Sequence, residues 1–120
     1  MYLERNLYKW RLEDAKKELG EPTRTRQSYT DGKASGTVYA FPDPTRSALE
    51  FELTFNDRSK LLTMVIAYPL GATLDDAKRL FGENYIVRRQ PNGEKLIMYR
   101  NRRLILRLSS RDQLISIGVY

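Results

Sequence analysis

Leu12-Glu13-Asp14-Ala15-Lys16-Lys17-Glu18-Leu19-Gly20-Glu21-Pro22 aligns without gaps on Leu74-Asp75-Asp76-Ala77-Lys78-Arg79-Leu80-Phe81-Gly82-Glu83-Asn84, 62 positions further along. Six of the eleven aligned positions carry the same residue. Self-similarity at a fixed offset is the mark of a structural unit used more than once. A second match supports it: Leu49-Glu50-Phe51-Glu52-Leu53-Thr54-Phe55-Asn56-Asp57 resembles Leu104-Ile105-Leu106-Arg107-Leu108-Ser109-Ser110-Arg111-Asp112. Each is followed by an apolar run that ends on a tyrosine, Tyr68 or Tyr120.

The aligned segments themselves read as short helices. Leu12, Ala15 and Leu19, and then Leu74, Ala77, Leu80 and Phe81, fall at spacings that make one apolar stripe on a helix. Gly20 and Gly82 stand where a C-terminal cap is expected, and Thr73 with Asp76 has the spacing of a capping box. Beyond each helix the hydrophobic period falls to two. Residues 24–30, 36–41, 48–56 and 60–68 read as strands, parted by Asp31-Gly32, by Pro42-Asp43-Pro44 and by Asn56-Asp57. Residues 84–90, 94–100, 103–109 and 113–119 follow the same order, with turns at Asn92-Gly93 and Arg111-Asp112. The expected fold is α+β: two tandem repeats over about 10–68 and 72–120, each a short helix followed by an antiparallel β-meander. The helices pack on one face of the sheet and the opposite face stays open. With 120 residues, the chain 1–120 is expected to form a single compact domain.

Composition narrows the function. No Cys and no His are present, which removes disulfides, thiolate metal sites, the usual general base and the commonest transition-metal ligand. No metal or other cofactor is expected. The longest apolar stretch, Leu61 to Tyr68, is far short of the roughly 20 residues that span a bilayer, so no membrane span is expected. A cysteine-free chain fits cytosol, periplasm or exterior. The start, Met1-Tyr2-Leu3-Glu4-Arg5-Asn6, has no apolar leader region, which leaves a periplasmic or secreted location dependent on a leader removed earlier.

The +6 charge is uneven. Residues 1–60 hold 11 Lys/Arg against 10 Asp/Glu, whereas residues 61–120 hold 10 against 5. Arg88, Arg89, Lys95, Arg100, Arg102, Arg103, Arg107 and Arg111 fall between residues 84 and 111, where Glu94 is the only acid. A basic surface is expected in the second half.

Thr73-Leu74-Asp75-Asp76-Ala77 ending in Phe81-Gly82, and Leu12-Glu13-Asp14-Ala15 ending in Leu19-Gly20-Glu21-Pro22, each followed by a meander, resemble the beta-lactamase inhibitor protein-like and BamE/SmpA-like group over nearly the whole chain. That resemblance implies helices on one side of an antiparallel sheet. It also implies a secreted inhibitor or envelope role in binding other proteins, without implying beta-lactamase inhibition.

The residues offer little to catalysis. The pairs Glu13-Asp14 and Asp75-Asp76 sit in first helical turns, where negative charge complements the helix dipole, and this outweighs an acid–base role. The glycines form no phosphate-cradling loop, and the serines have no His to activate them. The chain is therefore expected not to be an enzyme. Tyr39, Phe41, Ile97 and Tyr99 lie on strands beside turns, and aromatic side chains of this kind favour binding surfaces. Core packing is the competing reading, because Val38, Ala40, Leu96 and Met98 alternate with them. With Arg100, Arg102 and Arg103 they form the candidate partner-binding set. The expected function is a non-catalytic binding module of envelope or secreted type. It takes another protein, an acidic one by charge, through the open sheet face and the basic second half. The alternative is a cytosolic nucleic-acid-binding protein, motivated by arginine interleaved with tyrosine. The residues say nothing of oligomeric state.

Overall fold

The structure, a computed structural model, describes residues 3–46 and 48–120. Its elements follow the order of a 3-10 turn at Glu4–Asn6, α1 (Leu12–Leu19), β1 (Arg24–Thr30), β2 (Lys33–Pro42), β3 (Ala48–Asn56) and β4 (Leu62–Pro69). Then come α2 (Leu74–Phe81), β5 (Tyr85–Arg89), β6 (Lys95–Tyr99), β7 (Leu104–Leu108) and β8 (Leu114–Val119).

The strands form one antiparallel sheet of eight, in the order β1-β2-β3-β4-β8-β7-β6-β5. This overturns the expected pair of helix-plus-meander units. The fold is dominated by a single continuous sheet, and among the described residues the helical structure is limited to two α-helices of eight residues and one short 3-10 turn. The physical reason lies in how little a two-turn helix covers. Within α1 only Ala15 and Leu19 are buried, and within α2 only Ala77. Neither helix closes a core alone. Val65, Ala67, Ile117 and Val119 would otherwise stand on exposed edges, and pairing β4 with β8 in the register Val65↔Val119, Ile66↔Gly118 and Ala67↔Ile117 removes both edges at once.

The helices are set by their ends. At α2 the Thr73 N–H donates to Asp76 Oδ2 at 2.8 Å, and the Asp76 N–H donates to Thr73 Oγ1 at 3.4 Å, which completes a capping box. At α1 the Arg11 N–H donates to Asp14 Oδ2 at 2.9 Å. Gly20 and Gly82 end the helices with φ of 86° and 84°, values that favour glycine. Leu80 departs from the expected stripe and is 74% exposed. It lies about 120° around the helix from Leu74, outside the arc centred on Leu74, Ala77 and Phe81.

Alternation separates the two faces of the sheet. Paired residues share a face, so Phe41↔Phe51, Leu53↔Val65 and Ile97↔Leu106 stand on one side together. That side joins Ala15, Leu19 and Ala77 in one continuous core. Leu3 completes it from the N-terminal segment with no exposure, while Leu7 and Trp10 pack at its margin. The Leu62 N–H donates to the Trp10 carbonyl and the Tyr8 N–H to the Leu62 carbonyl, which holds this segment against β4.

Candidate functional site: the open face of the sheet

The helix-free face is built by the other half of each strand's alternation. One unbroken row crosses all eight strands: Arg24, Ala40, Glu52, Ile66, Gly118, Ile105, Met98 and Ile86, each the register partner of the next. Its β4-to-β5 part is apolar. Five strands at the usual spacing of about 4.8 Å make that stretch roughly 19 Å long. Ile66, Ile105 and Met98 are half-buried and Ile86 is exposed. Gly118 leaves room for the Met64 side chain, whose Cε lies 3.3 Å from where a Cβ would stand, with the Ile105 carbonyl oxygen at 3.6 Å. A second row, Ser116, Arg107, Leu96 and Arg88, runs alongside and brings two guanidinium groups to the apolar stretch. Arg107 Nε is 4.0 Å from Glu94 Oε1. At the opposite end of the strands a shallow depression of about 460 Å³ lies over Thr54, Met64, Ile105 and Tyr120.

The β1-to-β4 part of the same face has a different chemistry. Glu52 is only 8% exposed. It accepts the Tyr68 hydroxyl and lies 3.5 Å from Arg26 Nε, while Arg24 pairs with Glu50. A buried carboxylate is tolerated only with such partners. Burial first, then the hydrogen bond to Glu52, pushes the Tyr68 hydroxyl up to about 12. Both charge signs are thus matched internally on this half, whereas the row on the other half is apolar and faces away from the helices.

The residues singled out from sequence take different places. Phe41, Ile97 and Tyr99 are in the core, with 0%, 1% and 8% exposure, and Tyr39 is half-buried on the same helix-side face. Placing this set on the open face is therefore corrected. The register puts it opposite Leu53, Phe51, Leu106 and Tyr85, whose burial under the helices takes the larger side chains with it. Tyr99 meets Phe81 and Tyr85 edge-on, and its hydroxyl donates to the Gly82 carbonyl at 2.9 Å, which anchors the end of α2. Burial raises its pKa above the ordinary tyrosine value. Arg102 lies 5.1 Å from the centre of the Phe81 ring and 3.9 Å from Glu4 Oε2. Arg103 lies over Tyr120 at 6.0 Å. Both guanidinium groups fasten the β6–β7 turn to neighbouring segments. Arg100 is exposed, and its N–H donates to the Asn84 carbonyl.

The open-face row, which the sequence did not single out, carried a signal there. Met98 and Leu96 alternate with Ile97 and Tyr99, and deciding between the two sets required knowing which faced the helices. The packing decides it: the end of α2 meets Tyr99 through Phe81 and the Gly82 carbonyl. Among the described residues no group of three or more acidic side chains is placed to hold a metal ion, and no helix is long and apolar enough to cross a membrane. No protein family, curated protein or solved structure matches this chain.

Proposed function

We propose that this chain is a non-catalytic protein-binding module of envelope or secreted type, and that its partner docks on the open face of the sheet. The observation that carries the reading is the helix-free apolar row Ile66–Gly118–Ile105–Met98–Ile86, half-buried to exposed and flanked by Arg88 and Arg107. Contiguous apolar surface with a polar rim is what protein interfaces present, and methionine adapts to the shape it meets. Met64, whose methyl group lies over Gly118, adds a second flexible thioether to this surface. Arginine beside the row, in the more basic half of the chain, supports a partner with an acidic rim.

The test is affinity capture from extracts of the source cells, separated into envelope and soluble fractions. A partner from the envelope fraction is expected to be retained by the parent chain and by Leu80→Asp, which lies on the exposed side of α2. It is expected to be lost on Met98→Asp together with Ile105→Asp. Retention of the same partner by that double variant refutes the face assignment.

A further inference from the structure

The sheet has two open edges, β1 and β5, and they are unlike. β1 is polar, breaks register at Ser28/Tyr29, and holds Arg24 and Arg26 in ion pairs with Glu50 and Glu52. A bulge and engaged charges of this kind protect an edge against further pairing. β5 keeps an unbroken register with β6 from Tyr85↔Tyr99 to Arg89↔Lys95. Its consecutive β-branched residues Ile86 and Val87, on opposite faces, are 42% and 50% exposed. Arg88 and Arg89 are exposed and form no ion pair among the described residues. The nearby acids are engaged, Glu94 with Arg107 and Asp112 with Lys95 at 2.7 Å.

The backbone direction follows from the ladder. The Arg100 N–H donates to the Asn84 carbonyl and the Gln90 N–H to the Glu94 carbonyl, so the even-numbered residues of this strand face β6. Val87 and Arg89 therefore turn their N–H and C=O groups to the open side. Beside Val87, on the helix side, a cleft of about 600 Å³ opens between Leu74, Ile97 and Leu108.

We propose that β5 is a second binding site, which takes an extended acidic segment of a partner protein as a ninth, antiparallel strand. Val87 and Arg89 supply the backbone pairing. Acidic residues fall opposite Arg89 and Arg88, and apolar ones opposite Val87 and Ile86, with the residue opposite Val87 beside the cleft. The segment thus reads acid-acid-apolar-apolar. A second copy of this chain is the poorer occupant, because it brings another strand with two free arginines from an equally basic half.

The experiment is selection of a displayed random peptide library against the full chain, followed by fluorescence anisotropy with an enriched peptide. Enrichment of an acidic pair adjoining an apolar pair is expected, and a selection that returns no such sequences overturns the proposal. Arg88→Glu with Arg89→Glu is expected to weaken the peptide at least about tenfold and to favour its Lys-Lys counterpart. Val87→Pro is expected to weaken it similarly, since proline removes an N–H that the β5–β6 ladder does not use. Equal binding by a folded Val87→Pro chain overturns strand addition, as does light scattering that shows a dimer lost on the same change. Equal affinity for a single-stranded oligonucleotide of the same charge also overturns it. Hydrogen exchange on the parent chain decides the matter if Val87→Pro does not fold. Saturating peptide is expected to slow exchange at Val87 and Arg89, and unchanged exchange there refutes pairing. This site shares Ile86 and Arg88 with the margin of the open face, so the change that separates the two is Ile66→Glu, at the far end of the row, which leaves peptide binding intact.

Discussion

Replacing Phe41 by Ala separates the core reading of the helix-side face from a binding reading. Phe41 has no exposure and pairs across the strands with Phe51 in the continuous core. A fully buried phenylalanine removes on the order of 150–200 Å² from water, worth roughly 4–5 kcal/mol at ~25 cal/mol per Å². The retained Cβ lowers that figure and the cavity left behind restores part of it, so Phe41→Ala is expected to cost about 3–5 kcal/mol. Against a total stability of roughly 5–15 kcal/mol this is a large fraction. For a chain of this size it lowers the melting temperature by roughly 10–20 °C. Urea unfolding followed by circular dichroism gives the number directly: with a slope of about 2 kcal/mol per M, the midpoint falls by roughly 1.5–2.5 M. Met98→Ala, on the half-buried open face, is the matched control and is expected to cost no more than about 1 kcal/mol. A loss under about 1 kcal/mol at Phe41, or equal losses at the two positions, refutes the assignment of faces.

Thr73→Ala removes one half of the α2 capping box and is expected to cost about 1 kcal/mol by the same urea measurement. The Thr73 N–H, then its hydroxyl, and more weakly Arg79 hold the Asp76 carboxyl below its ordinary value. The folded pKa is the lower one, so this contribution is complete above the unfolded value and is lost as pH falls through the folded one. Asp76→Asn is therefore expected to flatten the acid limb of the stability curve, and an unchanged limb counts against the box. Tyr68 has the opposite sign. Its folded value of about 12 lies above the unfolded value near 10, so its contribution is complete below about pH 10 and is lost as pH rises from there towards 12. Absorbance titration of the eight tyrosines is expected to lose its latest component in Tyr68→Phe, and a titration unchanged by that substitution refutes the raised Tyr68 value. For the nucleic-acid alternative, steep salt dependence in a gel shift is required. No shift at low salt removes it.

The strands were legible because their alternation is local: the observed spans begin and end within three residues of those expected from the period-two pattern. The helix ends were legible for the same reason, through Gly20, Gly82 and the Thr73–Asp76 spacing. Two things were not. The β4–β8 pairing joins residues some fifty positions apart, and no turn residue or period encodes which strands meet. The face of β2 and β6 was also ambiguous, since Tyr39 and Phe41 against Val38 and Ala40, or Ile97 and Tyr99 against Leu96 and Met98, are apolar on both sides. That ambiguity has a physical source. A strand with apolar residues on both faces is what a sheet needs when one face packs on helices and the other meets something else. The misplaced aromatic set and the missed Met98 row are one error, and it fell on the surface now proposed to bind.

The pairing of β4 with β8 also explains why the two ends of the sheet differ. Once the central strands are joined, β1 and β5 are the only edges left, and all protection against stray pairing must be placed on them. On β1 that protection is complete: a bulge, polar side chains, and arginines tied to Glu50 and to the buried Glu52. The carboxylates that neutralise β1 lie two strands inward, on β3, and also fill the open face there. Beyond β4 no acid takes that position on the row, where Gly118, Ile105 and Met98 stand instead. The absence of those carboxylates has two consequences together, an apolar open face and an edge strand whose arginines are free. The open-face and β5 sites are thus separable by mutation yet share one cause. Introducing the missing acid by Met98→Glu, beside Arg88 and Arg107, is therefore expected to weaken both open-face docking and the acidic strand at β5. Ile66→Glu, further from β5 along the same row, is expected to weaken only the first.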